Sequence, residues 1–234
     1  MKFSVDIPVK IISGRDCVAS HPEELKLGQH AAIVCGKRSA VKSGALGDVV
    51  RMLGSLGIGR DILDGALPNP PLAAAAAMGQ RAAALGADFV IGIGGGSAMD
   101  SAKAVAAFAA NPTAAPEDLF TPGKLTSHPL PIVLIPTTAG TGSEANPYSV
   151  LTLPDGRHKK TYSGRGAWAK VAFLDPAYTE SVSRDSTIST ALDAMAHAME
   201  SYLSPKSDAL SHMLALYAGR EIWDVISEYP DTFN

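Results

Sequence analysis

Apolar residues along this chain fall into short continuous runs, separated by glycine-rich turns and by stretches with helical spacing. "AAIVCG" (residues 31–36) is one such run, and the apolar positions that follow it, Val49, Val50 and Leu53, are spaced for one face of a helix. The pattern predicts strand, loop and helix. It recurs in "AAAAAMGQRAAALGADFVIGIGGGSAMDSAKAVAAFAA", which reads as helix, strand over residues 89–93, glycine turn and helix. "LPIVLIPTTAGTGSEA" repeats the strand and the turn. Strands that are apolar throughout, alternating with helices, predict an α/β fold with a parallel sheet covered on both faces. Such sheets bind ligands outside the carboxyl ends of their strands, and the glycine-rich turns all fall at those ends.

From about Asp185 the pattern changes to helices, "STISTALDAMAHAMESYL" and "SDALSHMLALYAGREIWDVISEY", around a Ser204-Pro205 break. The expected organisation is an α/β domain over 1–184 and the start of an all-α domain over 185–234. Two or three helices bury little by themselves, so they are expected either to dock on the sheet domain or to be the start of a helical domain whose C-terminal portion is missing.

Composition narrows the function classes. With 46% hydrophobic and 18% charged residues the chain is of ordinary globular character, which sets aside disordered and fibrous classes. No uncharged run reaches the roughly 18 residues of a membrane span. Residues 1–10 lack the apolar core of a signal peptide, so a cytoplasmic protein without a membrane partner is expected. A net charge of -3 without a long basic run argues against nucleic acid and for a small-molecule substrate. Cys17 and Cys35 are too few for a disulfide framework and fit no cysteine-based zinc spacing; they read as buried thiols.

Three stretches carry candidate chemistry. In "GGGSAMD" the glycines let a ligand approach the backbone, and the next helix offers unpaired N–H groups at its positive end, which makes a seat for phosphate or a plain tight turn. The Ser97 hydroxyl can donate to a phosphate or simply cap the helix, whose first turn also holds Asp100. "PTTAGTGSE" (136–144) crowds hydroxyls and free amides into one loop, which suits phosphate oxygens or a plain polar turn. In "DAMAHAME" Asp193 and His197 stand one helical turn apart and can share a divalent metal or hydrogen-bond to each other, with Glu200 nearby as an outer partner or a solvated residue.

Taken in order and spacing, "GGGSAMDSAK", "PTTAGTGSE" and "ALDAMAHAMESYLS", with the opening "FSVDIPVKIISG" and the "LPNPP" turn, resemble the signatures of the iron-containing (group III) alcohol dehydrogenases. The resemblance implies a Rossmann-like dinucleotide-binding domain followed by a helical metal-binding domain, the dehydroquinate synthase-like fold. It implies that Gly95, Gly96 and Ser97 seat a pyrophosphate, that Asp100 belongs to the same site, and that Asn69, Thr137, Thr138, Val150, Lys159 and Leu174 line the rest. It further implies a catalytic divalent metal, Fe2+ with Zn2+ as the alternative, held by one Asp and three His. Asp193 and His197 match the first two of these, and the family's other two histidines lie beyond residue 234. His212 matches no ligand position and reads as structural or solvated. The implied activity is reversible hydride transfer between a small primary alcohol and its aldehyde, by a homo-oligomer such as a dimer.

The cofactor choice turns on the end of the "AAIVCG" strand. NAD-preferring members of the family tend to carry an Asp there, whose carboxylate accepts from the ribose hydroxyls and repels a 2′-phosphate. This chain has Gly36, Lys37, Arg38 and Ser39. Two cations and a hydroxyl suit a dianion, so NADP is expected, with NAD as the alternative. Two other readings stand beside this one: a non-catalytic NAD(P)-binding relative that keeps the cofactor turns, and a glycerol dehydrogenase-like or dehydroquinate synthase-like member of the wider superfamily, which the last two motifs fit less well.

Overall fold

The computed structural model describes residues 5–228; Phe3, Ser4 and Tyr229 of the motifs above lie outside them. In chain order the elements are β1 (Lys10–Ser13), α1 (Cys17–Ser20), β2 (His30–Cys35), α2 (Ser39–Lys42), α3 (Ala45–Ser55) and β3 (Gly59–Leu63). There follow α4 (Leu72–Ala84), β4 (Phe89–Gly94), α5 (Gly96–Ala110), β5 (Ile132–Pro136), β6 (Ser149–Thr152), β7 (Lys159–Tyr162) and β8 (Val171–Leu174). The last two are α6 (Arg184–Leu203) and α7 (Ala209–Glu228). Six strands form one sheet in the order β1-β8-β5-β4-β2-β3, and every pairing in it is parallel. The fold is the expected α/β, Rossmann-like arrangement.

Alternation along the strands explains why they are apolar throughout. Ala31, Ile33 and Cys35 of β2 pack on one face of the sheet with Val49 and Leu53 of α3, whereas Ala32 and Val34 pack on the other face with Met99, Ala102 and Val105 of α5. Both faces are covered, so neither set of side chains is polar.

Helix α5 is itself enclosed. It lies with one side on the sheet, and with another it packs Ala104, Ala107 and Phe108 against α4 and against Leu151 and Tyr162 of β6 and β7. Eleven of its fifteen residues are buried, and small residues, seven of them alanine, let its neighbours come close. The close approach is visible at Gly92, where a Cβ would lie 2.6 Å from the Ala102 Cβ, and at Gly79 of α4, where it would lie 2.3 Å from the Phe108 Cβ.

β6 and β7 form an antiparallel hairpin apart from the main sheet. No apolar run announces it: β7 is "KKTY", with only Tyr162 buried. By contacts the chain divides into two compact units. Residues 7–137 and 143–181 make the α/β unit; 138–142 join the chain from Val182 onward. Within the helical unit α6 starts at a Ser183 cap, and Gly140 at φ 143° lies so close to Thr190 that a Cβ would meet its carbonyl oxygen at 2.5 Å. No helix among the described residues is long and apolar enough to cross a membrane.

Candidate functional site

The connection from β2 leads outward to β3, whereas that from β4 leads to β5 on the opposite side. The sheet therefore has its switch point between β2 and β4, and a crevice opens between their carboxyl ends. Gly36 and Ser39 follow β2 there, and Gly94 to Ser97 follow β4. The two turns are close: a Cβ on Gly94 would stand 3.7 Å from the Ser39 Oγ. Gly94 has φ 147°, a conformation that L side chains rarely adopt, and a Cβ there would also collide with Ala98 at 2.7 Å.

Helix α5 begins in this crevice. Gly95 is its N-cap and no side chain caps it, so the leading amides of Gly96 and Ser97 have no acceptor within the helix and the positive end of its dipole is unneutralised. Fifteen residues of aligned peptide stand behind that end. Ser97 accepts from the Asn69 N–H at 3.3 Å rather than capping its own helix. Asn69 has φ 51° and is fixed from three sides: by Ser97, by the Thr152 hydroxyl donating to its carbonyl at 3.0 Å, and by the Lys159 ammonium donating to its Oδ1 at 2.8 Å. The "LPNPP" turn thereby ties the hairpin to the start of α5.

Asp100 is engaged differently from an open ligand group. Its Oδ1 accepts from the Ser143 hydroxyl at 2.7 Å, and its Oδ2 accepts from the Val150 N–H at 3.0 Å. Burial raises its pKa, against the opposing effect of the Val150 amide, the Ser143 hydroxyl and Lys103. Val150 is thus positioned by Asp100. Thr137 follows β5, donates its N–H to the Gly94 carbonyl at 2.9 Å, and has a buried hydroxyl without a hydrogen-bond partner among the described residues. A buried hydroxyl left unpaired costs about 1–3 kcal/mol, and a polar ligand could recover that cost. Leu174 closes β8, where its carbonyl accepts from the Gly14 N–H.

The α/β unit accordingly brings Gly36, Ser39, Asn69, Gly95, Gly96, Ser97, Asp100, Thr137, Val150 and Lys159 to one edge of the sheet, with Leu174 at the end of a strand further along it. Lys37 and Arg38 are exposed beside Ser39. An uncapped helix start, glycines that leave room for an approaching ligand, an unpaired buried hydroxyl and nearby cations fit a dinucleotide with its phosphates.

Thr138, Asp193 and His197 belong to the helical unit. Asp193 and His197 are exposed on α6, with His197 Nδ1 and Asp193 Oδ2 3.9 Å apart. A carboxylate and an imidazole one turn apart are suitable donors for Fe2+ or Zn2+. Among the described residues, however, no three of His, Cys, Asp and Glu lie close enough to share an ion; this pair is at most part of a metal site. His212 is occupied elsewhere: its Nε2 meets the Ser207 hydroxyl at 2.7 Å and its ring lies 4.6 Å from that of Tyr202, fastening the connection between α6 and α7. Glu200 is exposed.

Comparison with known proteins shows the family. The family model for iron-containing alcohol dehydrogenases matches residues 8–176. The chain is 36% identical over 207 residues to the long-chain-alcohol dehydrogenase 1 of Geobacillus thermodenitrificans, covering 86% of this chain and 51% of that protein. It is 34% identical over 196 residues to the probable NADH-dependent butanol dehydrogenase 1 of Bacillus subtilis, covering 83% and 50%. A crystal structure of an iron-containing alcohol dehydrogenase from Thermotoga maritima superposes with a TM-score of 0.89 at 37% identity, covering 99% of this chain and 65% of that one. The chain thus spans about half the length of the curated relatives it matches.

Proposed function

Because the chain belongs to the iron-containing alcohol dehydrogenase family, we propose that it binds NADP at the carboxyl edge of its sheet and serves reversible hydride transfer between a small primary alcohol and its aldehyde. The observation that carries this reading is the uncapped start of α5 at the switch point, beside the turn that holds Gly36 to Ser39. The amides of Gly96 and Ser97 would receive the pyrophosphate. The hydroxyl of Ser39 and the charges of Lys37 and Arg38 would receive the 2′-phosphate, where charge-assisted hydrogen bonds are strong. Lys159 would add positive charge at the hairpin. The nicotinamide, when bound, supplies the hydride acceptor. The Bacillus subtilis relative is named as NADH-dependent, which makes NAD the competing cofactor.

Asp193 and His197 would be two of the donors to a divalent ion, iron or zinc, whose contribution when bound is Lewis acidity toward the alcohol oxygen. A homo-oligomer belongs to the same proposal, because β1 leaves one edge of the sheet open with Ile11 exposed on it, as does a cytoplasmic setting.

Fluorescence titration of the protein with NADPH and with NADH tests the cofactor reading. NADPH is expected to bind about tenfold more tightly, the worth of one or two charge-assisted hydrogen bonds. Ser39→Asp is expected to reverse that order. Preference of the wild type for NADH contradicts the choice of NADP; binding of neither contradicts the site.

A further inference from the structure

One side chain of α5 is out of keeping with its surroundings. Lys103 sits between Ala102 and Ala104 in the middle of the helix and has no exposed surface. Its ammonium is surrounded by oxygens that all come from one short segment. It donates to the Ser143 carbonyl at 2.7 Å, to the Ser143 hydroxyl at 2.8 Å and to the Tyr148 carbonyl at 2.7 Å, with Asn146 Oδ1 at 3.4 Å. An ammonium has three protons, and three short contacts use them.

Asp100, one turn earlier on the same face of the helix, holds the same segment at two further points. Its carboxylate accepts from the Ser143 hydroxyl and from the Val150 N–H, and its carbonyl accepts from the Ser149 hydroxyl at 2.7 Å. The Ser143 hydroxyl lies between the two charges, accepting from Lys103 and donating to Asp100. Residues 143–150 are therefore a strap pinned to α5 along its length, and the strap runs directly into the hairpin that carries Val150 and Lys159. A lysine meant for a phosphate would have its ammonium free and accessible. This one has neither property.

We propose that Lys103 is a positioning residue that never touches the dinucleotide: by pinning the 143–150 strap it sets the β6–β7 hairpin, and with it Val150 and Lys159, against the start of α5. The inference rests on the reading that this edge of the sheet binds a dinucleotide. Removing the ammonium leaves the buried carbonyl of Ser143 and the part-buried carbonyl of Tyr148 without their donor, so the strap loosens while the sheet beneath keeps its own ladder. The coupling then appears as lost cofactor affinity at a site the lysine does not reach.

The test compares the wild-type chain with Lys103→Met, which keeps the length of the side chain and removes its donors. Two readouts are taken on each: hydrogen exchange of peptides covering 143–152 against peptides covering β4 and β5, and NADPH affinity by fluorescence titration. Exchange in 143–152 is expected to rise about tenfold with β4 and β5 still protected, and NADPH affinity is expected to fall about tenfold, the cost of one buried unpaired group. Ser143→Ala, which keeps both charges and removes only the hydroxyl between them, is expected to move both readouts the same way by about threefold, and it decides the matter should Lys103→Met not fold. Faster exchange with unchanged affinity overturns the proposal, and so does lost affinity with unchanged exchange. Wild-type protein that binds no dinucleotide overturns the premise instead, and that outcome is separate because it needs no variant.

Discussion

Cys17 and Cys35 lie on the α3 face of the sheet, with 3% and 1% of their surface exposed. Burial pushes both thiols up to about 11, with the charge of Asp175 adding to the shift at Cys17 and that of Asp64 at Cys35. Since the thiolate is the reactive form, neither residue is expected to react with a thiol reagent at pH 8 in the folded protein, and both are expected to react in denaturant. Counting labelled sites by intact mass under the two conditions checks this; fast labelling of the native protein contradicts the burial. A pKa above the ordinary value of 9 means that the folded state holds these protons more tightly than the unfolded one. The two thiols therefore contribute stability below pH 9 that is lost as pH rises through 11. At this scale the sequence was legible where chemistry and spacing coincide: the buried thiols and the Gly95 to Ser97 turn are where they were expected. Lys103 was not legible. A lysine in an alanine-rich helix gives no sign that its partners lie 40 and 45 residues further on.

Helices α4 and α5 approach each other closely. Gly79 looks like a defect in α4, since glycine costs a helix about 1 kcal/mol relative to alanine. Its space is filled, however, by the Phe108 Cβ and by backbone atoms of Val105 and Ala109 within 3.1 Å of where a Cβ would stand. Gly79→Ala is therefore expected to lose about 1–3 kcal/mol despite its better helix propensity, because the neighbouring helix must move. Urea unfolding of the two proteins decides the sign; a more stable alanine variant shows that the helices separate easily. The strands of the parallel sheet were legible because both their faces are buried and each becomes an unbroken apolar run. The hairpin was not, because β7 has one buried residue in four, the hairpin's apolar contact with α5 rests on Leu151 and Tyr162, and the rest of its hold comes from polar contacts of Asn69, Asp100 and Lys103. Helices α6 and α7 show the converse. They were legible as helices, yet α6 has no buried residue and α7 buries only Ala215, so helical spacing here did not report burial among the described residues.

For the molecule as a whole, two chemistries were read from the sequence and they stand differently. The proposed dinucleotide site lies within the α/β unit, at strand ends, an uncapped helix start and a pinned hairpin. The proposed metal site has two side chains on α6, Asp193 and His197. If Asp193 and His197 are metal donors, iron or zinc uptake measured by elemental analysis is expected in the wild-type protein and is expected to fall in Asp193→Ala and in His197→Ala alike. Uptake unchanged in both variants, or absent from the wild type, contradicts that role. A crystal structure of the protein with NADPH is the decisive measurement for the first site. The pyrophosphate is expected against the amides of Gly96 and Ser97 and the 2′-phosphate beside Ser39; a dinucleotide bound away from the carboxyl ends of β2 and β4 would contradict this placement.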